Sequence, residues 1–503
     1  MSAVQSGLRV RAWMRMPVLA RRVAMPLLAL ATSTCYRPAT QAGQHGSWTY
    51  EVEAPAFGSR LVTVEATFEG ARTERIGIPR DSVPWVRDMK VRSGDSWRTV
   101  ERRGNEWFDR SCNWRCTVRY QIDLGELANA CGDEVDCARR VGAATLSPAL
   151  AWLVHPVPRT DVPVKVRVHT TDSAQFATGM SVADPESRTF TFRSFDLDEG
   201  SFTAFGPMRR FRVDVPGKGS RTARIDVAVL GDARYAMPDA TIQSWVEDAA
   251  NATVPLFGRF PVDRTTLFVV PAKGEEEVIF GKVLSLAGAS VVLVVGDQMQ
   301  PEARQKDWVL VHELFHLGFP TFRGEGRWLG EGLATYYEPL LRARAGWTTE
   351  SDVFRQFARN MPRGQGPRGS NAGGLAARDD LDTIYWGGAL FCLAADVRIR
   401  EETRGTKSLD DVLRAALERG GDATHVWTVR DVVSLGDAVT GTKVLSQMYE
   451  RHAARGERID LDSLMVALGV GPDGRESDDS RPLAWIRRAI IEGPRRDPVA
   501  RTP

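Results

Sequence analysis

Residues 308–319 read WVLVHELFHLGF and place His312 and His316 four positions apart, with Glu313 directly after the first histidine. On a helix, residues four apart leave the same face one turn from each other, so both imidazoles can reach one metal ion. Glu313 points to another side of that helix, where its carboxylate can serve as general base for a metal-activated water. An HExxH string also occurs by chance in helices without a metal, so the motif needs a second observation.

That second observation lies downstream, where residues 328–338 read WLGEGLATYYE. Glu331 follows His316 by fifteen residues, across a turn rich in proline and glycine. A second helix that begins near Glu331 can lie against the first and direct its carboxylate at the same ion. Catalytic zinc takes three protein ligands and keeps one position open, and two histidines with one glutamate suit it. The sequence therefore predicts a Zn²⁺ site made by His312, His316 and Glu331, with Glu313 as general base.

These motifs resemble the gluzincin clan of zinc metallopeptidases, and in particular the glycyl aminopeptidase family with its aminopeptidase N-like catalytic domain. The resemblance covers about residues 256–470 and includes residues 384–417 (IYWGGALFCLAADVRIREETRGTKSLDDVLRAAL). It implies a thermolysin-like, mainly helical catalytic domain that hydrolyses peptide bonds of peptide or protein substrates. It also implies that the Tyr385 phenol donates a hydrogen bond to the oxyanion of the reaction. Packing of Tyr385 on Trp386 is the alternative.

The sequence departs from the family pattern in the residues that select a substrate. Aminopeptidases of this clan carry a glutamate on an edge strand that binds the free amino terminus of the substrate. Residues 281–290 (GKVLSLAGAS) contain no acid, although residues 275–277 just upstream are three glutamates. Gly387 replaces the lysine of the family's Tyr-x-Lys-Gly string, and the family's C-terminal PDZ domain has no evident counterpart. The alternative to a peptidase is a non-catalytic peptide-binding or assembly protein on the same scaffold.

The N-terminus predicts export. Five arginines precede the apolar run 23–31 (VAMPLLALA), and small residues then lead to Cys35, which is the layout of a signal peptide over residues 1–35. The apolar run is too short to span a bilayer. Lipidation of Cys35 is the alternative to plain cleavage, although residues 31–34 fit a lipobox poorly. We expect the bacterial periplasm, the cell envelope or the extracellular space, with membrane contact only through a lipid on Cys35.

Four cysteines lie close together in the chain: Cys112, Cys116, Cys131 and Cys137. In an oxidising compartment they predict two disulfides with three alternative pairings. A zinc site of four thiolates is the other alternative, although the spacings are not those of a zinc ribbon. Cys392 lies alone in an apolar segment and is expected in the core.

The pattern along the chain predicts an α+β protein of several domains. A linker over 36–47 leads to an antiparallel β domain over 48–219, followed by the catalytic domain over 220–420. A C-terminal helical segment with a charged tail occupies 421–503. The apolar run 278–295 contains two glycines and Lys282, which favours two buried strands over a membrane span.

Charge composition excludes one class of partner. The chain has 66 Lys and Arg against 64 Asp and Glu, for a formal net charge of +2. A nucleic-acid-binding face needs a concentrated basic surface, so no nucleic-acid partner is expected. The sequence leaves the oligomeric state open.

Overall fold

The structure is a computed structural model that describes residues 46–494 except 56–59, 71–72, 113, 133, 171–174, 232–233 and 366–372. The predicted signal peptide over 1–35, including Cys35, and most of the predicted linker lie outside the described residues. Within the described ranges, no helix combines the length and the apolar character that crossing a bilayer requires.

Short alternating strands build the N-terminal region. Its largest sheet contains, in spatial order, the strands Val182–Asp184, Thr189–Arg193, Pro163–His169, Ser47–Glu53, Leu61–Glu69, Arg115–Asp123, Val86–Ser93 and Ser96–Thr99. Every second side chain of Leu61–Glu69 is buried, so one face of the sheet forms the core. Two smaller sheets contain Phe176–Thr178, Phe202–Phe205, Ala144–Pro148 and Arg139–Val141, and His155–Pro156, Arg75–Gly77, Glu106–Phe108 and Glu101–Arg103.

The predicted antiparallel β domain needs one correction. Ser47–Glu53 pairs with Pro163–His169 in parallel, whereas the other strand pairs of this region are antiparallel. A parallel pair requires a long crossover, here the chain between residues 53 and 163, which supplies the other strands. Local alternation predicts strands and does not reveal this direction.

The four clustered cysteines form two disulfides, Cys112–Cys116 and Cys131–Cys137. Each bridge joins neighbours in the chain, so the predicted disulfides are present and their pairing is resolved. No thiolate among these four is left for the alternative zinc site. Cys392 is a free, buried cysteine, as the apolar segment around it predicts.

A mixed five-stranded sheet begins the second half of the chain. Its spatial order is Met208–Pro216, Thr222–Leu230, Arg264–Ala272, Ser290–Gly296 and Val278–Leu284, with both outer pairs antiparallel and the inner pairs parallel. The apolar run 278–295 thus forms two strands, as predicted. The division of domains at 219/220 remains a prediction, but Met208–Pro216 pairs within this second sheet and not with the N-terminal strands.

Helices cover this sheet and fill the rest of the chain, in keeping with the predicted α+β class. After the N-terminal region's helix Leu124–Cys131 they are Asp239–Phe257, Val309–His316, Arg327–Arg344, Glu350–Gly364, Gly388–Glu402, Leu409–Glu418, Val429–Thr440, Val444–Met448, Leu461–Leu468 and Ala484–Glu492. Two π-helical turns, Thr383–Gly387 and Tyr449–Ala454, and the paired strands Thr321–Phe322 and Val426–Trp427 complete the region. Side chains from the predicted 421–503 segment share the apolar core of the preceding helices.

Two helices and one edge strand meet at the predicted metal site. Val309–His316, here called the first motif helix, contacts both Arg327–Arg344, the second motif helix, and the edge strand Val278–Leu284. The carboxylate of Asp307 accepts hydrogen bonds from the Val309 and Leu310 amides at 3.0 and 3.1 Å. This side chain satisfies amides that the first turn leaves without a helical partner, so it determines where the first motif helix starts.

Candidate metal centre

Three side chains converge where the two motif helices meet. The Nε2 atoms of His312 and His316 lie 3.2 Å apart, and Glu331 Oε2 lies 3.3 Å from the first and 3.4 Å from the second. His312 is buried, and the other two side chains are about one-fifth exposed. Within the described ranges these three residues form the one group of His, Cys, Asp and Glu side chains close enough together to share a metal ion.

The size of this triangle fits zinc. Ligand atoms at the 2.0–2.1 Å bond lengths of a tetrahedral zinc ion are separated by the edge of the tetrahedron, about 3.3–3.4 Å. The observed separations of 3.2–3.4 Å match that edge. Burial lowers the pKa of His312, which favours the neutral imidazole that a metal binds. The fourth vertex of the tetrahedron has no protein ligand among the described residues, as a catalytic site requires.

The second motif helix starts earlier than the sequence predicts. It begins at Arg327, so Glu331 lies in its second turn and not at its first residue. Trp328 explains the difference, because its indole is buried and packs edge-on against Phe391 with ring centroids 5.0 Å apart. The buried tryptophan holds the first turn against the helix Gly388–Glu402 and places Glu331 where the helix is already regular.

Buried hydrogen bonds fix the position of the second motif helix relative to the helices that carry Asp396 and Asp410. Tyr336 donates to Asp396 at 2.9 Å, and Tyr337 donates to Asp410 at 2.7 Å. The Tyr337 ring also stacks on Phe315 of the first motif helix, with centroids 5.3 Å apart. Asp410 thus anchors a buried tyrosine, a role that its place at a helix start does not reveal. No local sequence signal indicates Asp396, since its partner is sixty residues away.

Glu313 lies on the side of the first motif helix that faces the edge strand. A Cβ built on Gly281 of that strand would come within 2.6 Å of Glu313 Cγ and 2.7 Å of its Oε1. Only a glycine lets the strand approach the carboxylate so closely. Burial raises the pKa of Glu313 to about 8. A carboxyl group whose pKa lies near neutrality can both take and return a proton.

Tyr385 lies beside His312, and its role as the oxyanion partner remains a prediction. Its ring stacks on the imidazole with centroids 6.1 Å apart and an interplanar angle of 23°. Burial and the neighbouring Glu331 carboxylate raise the pKa of Tyr385 well above its usual value. The phenol therefore keeps its proton at neutral pH and remains a hydrogen-bond donor beside the ligands.

The edge strand lacks the acid that would bind an amino terminus. Lys282 follows Gly281 and forms an ion pair with Asp136 of the N-terminal region. Of the three upstream glutamates, Glu275 lies against Gly296, whereas Gly281 pairs with Leu293. Three residues of strand, about 10 Å, separate those positions. The backbones of Glu275 and Glu277 therefore lie about 10 Å along the strand from the position beside Glu313.

Comparison with known proteins places this geometry in a known fold. No protein-family model matches the sequence, and no curated protein matches it either. A solved aminopeptidase N family protein from Idiomarina loihiensis is similar with a TM-score of 0.64 and 16% identity, over 84% of this chain and 78% of that one. This chain has the fold of the M1 metallopeptidases.

Two further solved structures have a similar fold. An M1 zinc metallopeptidase variant from Deinococcus radiodurans, bound to the substrate Tyr-Ser-Ala, has a TM-score of 0.51 and 15% identity over 83% of this chain and 96% of that one. A two-domain M1 zinc metallopeptidase variant bound to L-tryptophan has a TM-score of 0.52 at 15% identity, with the same coverage. The predicted resemblance to aminopeptidase N-like proteins is confirmed as a likeness of fold. The finer thermolysin-like description remains a prediction.

Proposed function

We propose that this protein is a zinc-dependent peptidase whose metal is held by His312, His316 and Glu331. The observation that supports it most directly is the 3.2–3.4 Å triangle of ligand atoms, with a buried carboxyl group beside it. The M1 metallopeptidase fold adds support, because its solved examples named above are zinc peptidases.

Zinc bound in this triangle would act as a Lewis acid on the scissile carbonyl and on the attacking water. Glu313 takes a proton from that water and returns it to the leaving amine, since it lies beside the ligands and has a pKa near neutrality. Tyr385 donates its hydroxyl to the oxyanion that forms at the carbonyl carbon. Gly281 keeps the edge strand close enough to exclude bulk water from Glu313.

Peptides or proteins are the proposed substrates, and no role for nucleic acid is expected. The Tyr-Ser-Ala complex of the Deinococcus structure shows a peptide bound to the same fold. Strict aminopeptidase action is not part of the proposal, because the edge strand offers Lys282 and no acid near Glu313. The site thus supports peptide-bond hydrolysis without a requirement for a free amino terminus.

Glu313→Gln tests the role of the general base. We expect the variant to bind one equivalent of zinc and to lose hydrolysis by a factor of about 10²–10⁴, since the amide cannot accept the proton. Zinc content is measured on purified protein, and turnover on a quenched peptide library. Glu276→Gln, a change at an exposed glutamate, is the matched control. Full activity of Glu313→Gln would show that the mechanism is wrong.

The second candidate is a non-catalytic peptide-binding or assembly protein on the same fold, and the missing acid on the edge strand motivates it. A scaffold of that kind has no need for Glu313 beside the ligands. Stoichiometric zinc without cleavage of any peptide in the library would favour it over the peptidase.

Export is also part of the proposal. The two disulfides support an oxidising compartment, because such bridges seldom persist in the cytosol. Mass spectrometry of the mature N-terminus distinguishes plain cleavage from lipidation of Cys35.

A further inference from the structure

Arg327 is an exposed cation at the start of the second motif helix, one turn before Glu331. Residues four apart lie on the same face of a helix, so Arg327 shares the face that directs Glu331 at the metal position. Its five N–H donors form a planar fork that fits a carboxylate.

Packing brings the start of the second motif helix to the turn that carries Tyr385. The π-helical turn Thr383–Gly387 packs against this helix. A Cβ built on Gly388, directly after the turn, would lie 2.2 Å from the carbonyl oxygen of Trp328 in the first turn of the helix. Helix spacing and this packing agree that Arg327 lies at the rim of the metal centre.

Other cations near the site already have partners. Lys282 on the edge strand is paired with Asp136, and Arg323 lies 3.7 Å from Asp196. Among the described residues, no ion pair or hydrogen bond engages the Arg327 side chain. An arginine beside a metal centre that is unpaired among these residues can form an ion pair with an anionic ligand.

The surrounding charges favour an anionic ligand. A dication held by a single carboxylate leaves a net positive centre, and Arg327 adds another positive charge to its rim. A substrate ammonium is repelled there, whereas a carboxylate gains both Coulomb energy and two parallel hydrogen bonds. The absence of an acid on the edge strand points in the same direction.

We propose that Arg327 is a specificity-determining residue that binds a substrate carboxylate, so the site prefers peptides that present one near the scissile bond. The carboxylate belongs either to an acidic side chain or to the C-terminus of a short peptide. This inference rests on the proposed peptidase function.

Matched peptides test the proposal on the zinc-loaded protein. One series compares Asp and Glu with Asn and Gln at each position around the scissile bond, and the other compares free with amidated C-termini. We expect the wild type to prefer carboxylate-bearing peptides by about tenfold or more in kcat/KM, as a charge-assisted pair predicts. The series that shows the preference identifies the source of the carboxylate.

Variants assign that preference to Arg327. Arg327→Ala should remove it while hydrolysis of neutral peptides continues, Arg327→Lys should restore part of it, and the loss should lie mainly in KM. Arg102→Ala, at an exposed arginine in a hairpin of the N-terminal region, is the matched control and should keep the preference. A wild type without any preference, or equal effects of Arg327→Ala on all peptides, would overturn the proposal.

A binding measurement separates this proposal from the peptidase function. Calorimetry on zinc-loaded Glu313→Gln compares the free acid and the amide of the same peptide, with and without Arg327→Ala. Carboxylate binding that depends on Arg327, in a protein whose wild type cleaves nothing, would support the site and refute the peptidase. Cleavage without any effect of Arg327 on binding would refute this inference alone.

Discussion

At the scale of single residues, the site depends on protonation states set by burial and by neighbouring imidazoles. The Glu313 pKa rises to about 8 because the carboxyl group is buried, whereas the two imidazoles hold the pKa of Glu331 well below its usual value against the effect of burial. The pKa values of two glutamates eighteen positions apart in the chain are thus shifted in opposite directions. One can exchange a proton near neutrality, and the other stays ionised as a metal ligand must.

Tyr385→Phe is the sharpest test at this scale. Loss of the hydroxyl removes one donor to the oxyanion and keeps the ring that stacks on His312. We expect kcat to fall by about 10²-fold with little change in KM, because the donor acts on charge that develops only in the transition state.

Steady-state kinetics on one peptide measure kcat and KM, and a zinc assay measures the metal content of the variant. Tyr449→Phe is the control, since that half-buried phenol lies in another π-helical turn, with the Arg430 guanidinium 5.8 Å from the centre of its ring, and should leave kcat unchanged. A Tyr385→Phe enzyme within about twofold of wild type would remove Tyr385 from the mechanism.

At the scale of secondary-structure elements, the edge strand approaches the first motif helix so closely that the contact requires a glycine. Gly281 lies against Glu313 and Val309, and a Cβ there would meet Val309 Cγ1 at 2.7 Å. The strand belongs to the five-stranded sheet, so it cannot move outward without straining its pairing with Ser290–Gly296. A single glycine therefore sets the distance between the sheet and the Glu313 carboxyl group.

Gly281→Ala should harm both stability and activity. Overpacking costs about 1–3 kcal/mol of unfolding free energy. A displacement of Glu313 by about 1 Å lowers kcat/KM by up to about 10²-fold. Thermal unfolding and kinetics measure the two effects.

Gly330→Ala is the matched glycine control. A Cβ there would lie 3.6 Å from Phe322, an ordinary contact, and alanine favours the helix by up to about 1 kcal/mol. We expect unchanged or higher stability with retained activity. If Gly281→Ala behaved like this control, the close packing of strand on helix would be refuted.

At the scale of the whole molecule, buried and partly buried hydrogen bonds join the N-terminal strands to the five-stranded sheet. The Arg264 guanidinium donates to the carbonyls of Thr178 and Met180 at 3.0 and 3.1 Å and to Asp226 at 2.9 Å. The Phe202 amide donates to Ser290 Oγ at 2.9 Å. These contacts make the N-terminal region a fixed neighbour of the sheet whose edge strand faces Glu313.

Arg264→Ala should weaken this junction. The variant removes one hydrogen-bond donor from Asp226 and from each of two buried carbonyls. We expect the free energy of unfolding to fall by about 2–4 kcal/mol, or the N-terminal region to melt in a separate step. Calorimetry or urea unfolding followed by two probes measures it.

Arg221→Ala is the control, because it removes an exposed ion pair with Asp263 whose charged atoms are 3.6 Å apart. We expect it to lower the free energy of unfolding by at most about 1 kcal/mol. Equal stability of the two variants would show that the Arg264 contacts do not join the two regions.

The candidate site was largely predictable because its central signal is local. The four-residue spacing of His312 and His316 follows from helix geometry alone, and Glu313 takes its direction from the same helix. The apolar run 278–295 forms two strands, as the glycines and the lysine that interrupt it predict. In each case the residues that decide the outcome lie within one turn or one strand of each other.

By itself the sequence determined the α+β class and the placement of His312 and His316 on one face of a helix with Glu313 on another, since these depend on periodicities of the backbone. Only the tertiary structure decided the pairing of the cysteines, the parallel strands Ser47–Glu53 and Pro163–His169, and the start of the second motif helix at Arg327. It also decided that Gly281 packs on Glu313 and that Arg327 forms no ion pair or hydrogen bond with the residues that the structure describes. These features depend on contacts between segments far apart in the chain, and packing of the whole core, not local spacing, selects them.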